Sequence, residues 1–178
     1  MIELEVQKAY QGDCIWVRCI AEKNTNIVID AGPSTFASGF RNLVRKIIEN
    51  EEKIDLLVFS HIDDDHIRGC IRYLQEEKVS IIGKIWINGF GTNVYSNMQE
   101  HSINNVSNLI TLIEKRKIPI EYPIIEGKEY SFLGGVLKVI GPTEKEILEL
   151  AEKIKVSRHL QEHARNLFLG NIDEAIDV

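Results

Sequence analysis

The sequence lacks the features of a secreted, disulfide-stabilised or membrane-spanning protein. Its three cysteines, Cys14, Cys19 and Cys70, are an odd number and include no Cys-x-x-Cys pair. This usage argues against a disulfide framework and for reduced thiols inside the cell. No apolar run approaches membrane-spanning length, and the alternating stretch from Met1 to Val6 is unlike the apolar segment of a signal peptide. These absences predict a soluble, cytoplasmic domain with no membrane partner.

An excess of positive charge is also missing. The formal net charge is −6, so the chain has no global attraction to nucleic acid or to an anionic surface. Nucleic-acid chemistry is not excluded by this balance, because bound metals or a local basic patch can offset it. A length of 178 residues with 44% hydrophobic residues is enough for one domain with its own core.

Predicted strands and helices alternate along the chain, which is typical of layered α/β proteins. The segment from Asp55 to Phe59 is almost continuously apolar, as expected at the centre of a sheet that is covered on both faces. A further segment, Ile118 to Ile125, contains two prolines and is predicted to be an edge or a linker. The other predicted strands are Ile2 to Ala9, Cys14 to Ile20, Ile27 to Asp30, Ile81 to Asn88 and a hairpin from Tyr130 to Ile140, and helices are predicted over 36–48, 67–75 and 106–113.

Two imidazoles and three carboxylates occupy the six positions from His61 to His66, directly after the central strand. Carboxylates this close repel one another, and partial burial adds a desolvation cost. A divalent cation removes both penalties, and His61, Asp63, Asp65 and His66 can turn toward one point from a short loop. The alternative is a solvated acidic turn, which the prompt return to an apolar pattern after His66 disfavours. Asp64 points away from its neighbours if the segment is extended, and it is not a predicted ligand.

The segment from His61 to Gly69 resembles the His-x-His-x-Asp-His motif of the metallo-β-lactamase fold superfamily, with Asp63 in place of the second His. This variant is similar to the branch that contains the hydrolase domain of competence-related DNA-uptake proteins. Gly12-Asp13-Cys14 resembles a Gly-Asp-Ala/Ser element of that branch, and Asp30-Ala31-Gly32 resembles an Asp-x-Gly turn of the family. The predicted hairpin that follows Gly127 resembles the hairpin that ends the first half of the family's fold. The resemblance therefore covers residues 1–142.

The resemblance implies two divalent metal ions, zinc or manganese. His61 and Asp63 would hold one, Asp65 and His66 the other, and Asp65 and His66 would be catalytic through a bridging water. Asp63 makes its site more oxygen-rich, which shifts the preference from zinc toward manganese or magnesium. Asp30 is expected either to support the loop from behind the ligands or to be only a turn residue.

Predicted substrate-facing residues are weaker hypotheses. Arg68 follows the segment from His61 to His66, which is called the metal loop below. Its side chain could contact a phosphate, although a solvated arginine at a helix start is common. Asn88 lies at a strand end, where loops line active sites in the family. His159 and His163 are four residues apart, but they lack the glutamate of a His-Glu-x-x-His motif, and two solvated histidines on a polar helix are the favoured interpretation.

The expected fold is an α/β (α+β) αββα sandwich of which residues 1–142 supply the first half. Residues 143–178 are predicted to be a helical extension that begins with a capping box at Thr143 to Glu146. The later part of the family pattern, a third metal-binding histidine, an aspartate on a Thr-Gly-Asp-like strand end and a final histidine, is not found, because no Gly-Asp follows Asp13 and no histidine follows His163. A truncated sequence, a split protein with a partner chain, or a homodimer of half-domains would explain this, and the first two are favoured because an apolar sheet face would otherwise be exposed.

Three functions are compatible with these residues. The leading hypothesis is a metal-dependent hydrolase of phosphodiesters, with a nucleic acid or nucleotide substrate. A hydrolase of a thioester, a lactam or another small ester is an alternative within the enzymes. The third is a catalytically incomplete binding or sensor module in a larger assembly, which the missing second half favours.

Overall fold

A computed structural model describes residues 1–88 and 100–153 of the chain. One six-stranded sheet and one two-stranded sheet are combined with four α-helices in this part, so the expected mixture of strands and helices is confirmed. The elements in chain order are β1 (Ile2–Val6), β2 (Ile15–Cys19), β3 (Thr25–Ile29), a 3₁₀ turn (Ser34–Phe36), α1 (Ala37–Glu49), β4 (Leu56–Phe59), α2 (Asp64–Glu76), β5 (Ile85–Ile87), α3 (Glu100–Lys115), β6 (Ile120–Glu121), β7 (Glu129–Phe132), β8 (Gly135–Lys138) and α4 (Glu144–Lys153).

The large sheet has the order β1-β2-β3-β4-β5-β6, so its strands are neighbours in the order in which they occur in the chain. The pairs β1–β2 and β2–β3 are antiparallel, whereas β3, β4, β5 and β6 are parallel to one another. The parallel strands are linked through helices, as such crossovers require. The central strand predicted around Leu57 is indeed interior, and the segment predicted as an edge forms the edge strand β6.

Helices cover one face of the sheet. Side chains from alternate strand positions, among them Val28, Leu57 and Ile85, are fully buried against α1, α2 and α3. Helix α1 contributes Phe40, Leu43 and Ile47, which recur at the three-to-four-residue spacing of one helix face. The main core therefore lies between the sheet and this helical layer.

The β7–β8 hairpin covers part of the opposite face. Ile27, Leu56, Trp86 and Ile124 are buried there, and the hairpin side chains Tyr130, Phe132 and Leu137 pack against them. The cover does not extend to β1, whose Ile2, Leu4 and Val6 are about two-thirds exposed, with Leu4 at 65%. Leu4 lies opposite Val17, which lies opposite Ile27, so these residues share one face. The apolar face is thus continuous from β4 to β1 and is exposed at β1.

Some predicted boundaries differ from the observed ones. Helix α2 begins at Asp64 rather than at Ile67, because Asp63 takes the extended N-cap conformation and two acidic residues fill the favourable first turn. The strand predicted from Ile81 is shorter, since only Ile85–Ile87 pair regularly and Ile82 makes an isolated bridge with Ile54.

The helix start at Thr143 matches its prediction. The amide nitrogen of Glu146 lies 3.3 Å from Thr143 Oγ1, and the Thr143 amide donates to Glu146 Oε2 at 2.8 Å. This reciprocal pair is a capping box, and α4 follows it. The second helix predicted beyond Ser157, with His159 and His163, lies outside the described residues.

Close backbone contacts fix α2 against the turn that follows β3. The Ala31 amide donates to His66 O at 2.8 Å, and the Gly69 amide donates to Gly32 O at 2.9 Å. A Cβ atom on Gly69 would lie 1.8 Å from Ala31 O, so this approach requires glycine. The first turns of α2 are therefore held in one position relative to the end of β3.

Replacement of Gly69 by alanine is expected to destabilise the protein by about 2 kcal/mol or more, because the methyl group would force two backbone segments apart. Gly141→Ala is the matched control, since its Cβ would have no atom within 4 Å. Urea unfolding at neutral pH measures both changes. Equal stabilities of the two variants would contradict this account of the contact.

Candidate metal centre

The candidate centre lies where three strands meet at one edge of the sheet. Strands β3 and β4 are parallel, and Ile29 lies opposite Val58, so their carboxyl ends place Asp30 beside Ser60. Strand β2 runs the other way, and Ile15 lies opposite Ile29, which brings the residues just before β2 to the same edge. Helix α2 starts here as well. Residues that are far apart in the sequence are thereby collected above the sheet.

Asp30 is the innermost carboxylate of this edge and is 2% exposed. It accepts a hydrogen bond from the Ser60 amide at 2.9 Å through Oδ1 and one from Ser60 Oγ at 2.6 Å through Oδ2. Its φ of 59° is left-handed, a conformation that Asp and Asn adopt more readily than most residues. Asp30 thus holds the start of the metal loop through Ser60. Its predicted role in supporting metal ligands stays a prediction.

His66 is the buried histidine of the centre, and its side chain is 8% exposed. Nδ1 lies 3.0 Å from Asp30 Oδ2, whereas Nε2 lies 3.7 Å from Asp65 Oδ2. The Nδ1 contact has the distance of an ion pair, but it does not have the alignment of a hydrogen bond, and Nδ1 has no such bond. A hydrogen bond weakens steeply when its angle is poor, so this close contact does not satisfy Nδ1 as a donor.

His61 and Asp65 form the outer part of the centre. The rings of His61 and His66 are 3.7 Å apart between centroids, with 50° between their planes. Potential ligand atoms of His61, Asp65 and His66 all lie within 4.8 Å of one another. The structure therefore brings three of the four predicted ligands together, and two imidazoles with a carboxylate are a donor set that zinc accepts.

Two groups of three potential ligands occur in the described part of the chain: the first is His61, Asp65 and His66, and the second is Asp13, Asp30 and His66. Asp63, the fourth predicted ligand, belongs to neither group. Its carboxylate does not cap α2 by a side-chain hydrogen bond, and Oδ2 lies 3.5 Å from His61 Nε2. It therefore neighbours the first group without completing it.

Asp64, which is not a predicted ligand, bonds to two residues outside the groups of potential metal ligands. Asn105 Nδ2 donates to Asp64 Oδ1 at 2.8 Å, and Arg68 NH1 lies 3.3 Å from Oδ2. Arg68 is thus engaged by Asp64 and is partly exposed. Its predicted contact with a phosphate stays a prediction.

Asn88 is occupied by the backbone of Ile124. Its Nδ2 donates to Ile124 O at 2.6 Å, and its Oδ1 accepts from the Ile124 amide at 2.7 Å. Both ends of the amide therefore join β5 to the segment after β6. The role in substrate binding that was predicted for Asn88 stays a prediction, and the geometry gives the residue a structural task as well.

Asp13 also lies in the centre, although it is not among the predicted ligands. Its carboxylate, with Asp30 and His66, forms a second group whose ligand atoms lie within 4.8 Å of one another. Gly12 makes this approach possible, because a Cβ there would lie 1.9 Å from Asp65 O. The antiparallel pairing of two predicted strands was the available signal, since it places the start of one beside the end of the other.

Cys14, next to Asp13, is fully buried. Burial, together with the nearby charges of Asp30 and Glu5, raises the pKa of the Cys14 thiol to about 12. The raised pKa keeps the group a neutral thiol at neutral pH in the ion-free protein, so it packs as a small apolar residue.

Native protein at pH 8 is accordingly expected to leave Cys14 unmodified by iodoacetamide, because neither the thiolate nor access is available. After unfolding in urea, the same residue should react within minutes. Mass spectrometry of the peptide measures the extent of alkylation. Rapid and complete native labelling would show that the thiol is accessible.

The comparisons with known proteins agree with this geometry. Residues 8–143 match the family model described as "Metallo-beta-lactamase superfamily". Because this match covers more than half of the chain, the protein belongs to the metallo-β-lactamase superfamily. The sheet, the helical layer and the hairpin are consistent with the fold of that superfamily, whose members typically bind divalent metals, usually zinc. No curated protein matches the chain.

Solved structures of metallo-β-lactamases are similar to the chain at low identity. One from Thermotoga maritima is 17% identical with a TM-score of 0.39, and the match covers 70% of this chain and 60% of that one. One from Cronobacter sakazakii with a HARLDQ motif is 16% identical with a TM-score of 0.39, over 71% and 46% of the two chains. A mutant of the latter is 18% identical with a TM-score of 0.39, over 76% and 50%. The chain thus spans about half to three-fifths of their lengths.

Among the described residues, no helix is both long enough and apolar enough to cross a membrane.

Proposed function

We propose that this chain carries the first part of the catalytic centre of a metal-dependent hydrolase that acts on phosphodiesters in a nucleic acid or nucleotide. The observation that carries the proposal is the group of His61, Asp65 and His66 at the edge of the sheet. The neighbouring carboxylates of Asp13, Asp30 and Asp63 make the surroundings rich in oxygen donors, which favours manganese or magnesium beside zinc. Such ions are suited to stabilising the charge of a phosphoryl group.

In this proposal His61, Asp65 and His66 hold the metal, and divalent ions supply a water of lowered pKa. The chain's residues determine where that chemistry takes place. Asp30 fixes the loop through Ser60 and lies behind His66, so the imidazole is held against the sheet. Asp65 lies in the first turn of α2, directly before His66. Its side chain is partly buried, and its carboxylate lies 3.7 Å from His66 Nε2.

Three donors are one fewer than the four ligands of a closed zinc site. The one open position suits a water or a substrate, and a dinuclear centre needs further ligands from outside the described residues. The same count supports a second candidate function, namely a catalytically incomplete module that binds a cation or a ligand within an assembly.

The hydrolase is tested best with the chain in its complete assembly, either the longer gene product or the chain with its partner. With Mn²⁺, cleavage of single- and double-stranded DNA and of bis(p-nitrophenyl) phosphate is expected, and Asp65→Asn should reduce it at least a hundredfold, on the order of the loss of a metal-activated group. Glu22→Gln is the control, since Glu22 is an exposed turn residue.

Hydrolysis of a thioester or a lactam without cleavage of phosphodiesters would replace the proposed substrate class. Absence of all three activities in an assembly that binds metal would favour the incomplete module. Elemental analysis of the assembly separates the two cases from a protein that binds no metal at all, which would contradict both.

We also propose that the second half of the sandwich covers the apolar face of β1 and β2, and that it comes from a partner chain or from a longer product. Support comes from Ile2, Leu4 and Val6, which are exposed on the face that the hairpin covers only further along the sheet. An antiparallel pairing of two copies through their β1 edges, centred on Leu4, is disfavoured because it would place Glu3 of one copy opposite Glu5 of the other.

Sedimentation of this chain at micromolar concentration should therefore show a monomer. A stable dimer would instead support the homodimer of half-domains, most directly if Leu4→Glu dissociated it. The matched variant Val79→Glu, at another exposed apolar residue outside the sheet face, should have no effect on the oligomeric state.

A further inference from the structure

Asp13, Asp30 and His66 form a group on the side of His66 that faces away from Asp65. Asp13 precedes β2, Asp30 follows β3, and His66 lies in the first turn of α2. One carboxylate oxygen of each aspartate and a ring nitrogen of His66 lie within 4.8 Å of one another. The three ligand atoms are therefore close enough to one another to bind a single divalent cation.

The buried nitrogen of His66 is the observation that distinguishes this group from an ordinary acidic cluster. Nδ1 has no hydrogen-bond partner among the described residues, although the His66 side chain is only 8% exposed. It is directed toward Asp30, with 3.0 Å between Nδ1 and Oδ2. A buried polar atom without a hydrogen bond is costly, and a cation bound to it would remove that cost.

The negative charges of Asp13 and Asp30 also favour a bound cation. Asp30 is almost fully buried, and its hydrogen bonds come from the neutral groups of Ser60. Within residues 1–88 and 100–153, no lysine or arginine forms an ion pair with Asp13 or Asp30. Two carboxylates this close repel each other unless a positive charge lies between them.

We propose that a divalent cation binds between Asp13, Asp30 and Nδ1 of His66, which makes Asp13 a metal ligand. Two carboxylates and one imidazole are a harder donor set than that of His61, Asp65 and His66, and Mn²⁺ is the ion that suits it best. The site between Asp13, Asp30 and His66 is called the Asp13 position, and the site formed by His61, Asp65 and His66 is called the Asp65 position. A neutral imidazole has one ring-nitrogen lone pair available for a metal, so His66 can bind an ion at only one of the two positions at a time. The two positions consequently compete for His66.

The competition allows the Asp13 position to be measured alone. His61→Ala removes a ligand of the other group and leaves Asp13, Asp30 and His66 in place. Electron paramagnetic resonance of free Mn²⁺ then gives the affinity of the remaining position in this chain. His61→Ala is expected to bind one Mn²⁺ per chain, and His61→Ala with Asp13→Asn should bind it at least about tenfold more weakly, the lower limit for outer-shell changes.

His61→Ala combined with Glu22→Gln is the matched control and should bind Mn²⁺ as His61→Ala does. Asp13 is exposed, so Asp13→Asn is expected to fold, and circular dichroism with urea unfolding checks this. The proposal is overturned if the Asp13→Asn double variant binds as tightly as His61→Ala, or if folded His61→Ala binds no Mn²⁺. Because the readout is binding, it is independent of whether the assembly hydrolyses phosphodiesters.

Discussion

The carboxylate of Asp30 is the group on which the candidate centre depends. It is buried at the end of β3 in a left-handed conformation, and it accepts two hydrogen bonds from Ser60. Hydrogen bonds to a charged group contribute about 1.5–3 kcal/mol each, which offsets part of the cost of burying the charge. The same carboxylate lies against His66, so one residue joins β3, the metal loop and α2.

The acidic residues of the metal loop have two separate explanations, and the structure distinguishes them. Asp64 and Asp65 lie in the first turn of α2, where negative charge is favourable in any helix. That argument accounts for Asp64, which bonds to Asn105 and Arg68. It does not account for the close, tilted rings of His61 and His66, or for Asp13 before β2 and Asp30 after β3. These four residues belong to the two groups whose ligand atoms lie close enough to hold a metal ion.

Local patterns in the sequence predict the elements well and the site only partly. The strand around Leu57, the edge character of β6 and the capping box at Thr143 follow from neighbouring residues, and the structure agrees. Contacts between distant segments were not accessible in this way. The predicted substrate role of Asn88 stays a prediction, whereas the bond from its amide to the backbone of Ile124, 36 residues away, is not predictable from neighbouring residues. Asp13 enters the centre through the antiparallel pairing of β2 with β3, so its place depends on how the predicted strands pair and not on its neighbours in the sequence.

Close backbone contacts at two glycines fix the position of the first turns of α2, which carry Asp65 and His66. Gly12 lies against the carbonyl of Asp65, and Gly69 lies against the carbonyl of Ala31. Both glycines permit a backbone approach that any Cβ would block. The β1–β2 loop and the turn after β3 therefore contact the start of α2 from two sides. His66 consequently lies between Asp30 and Asp65. In the proposed arrangement the two cation positions share this imidazole, so the ligands around each position determine which of them holds the ion.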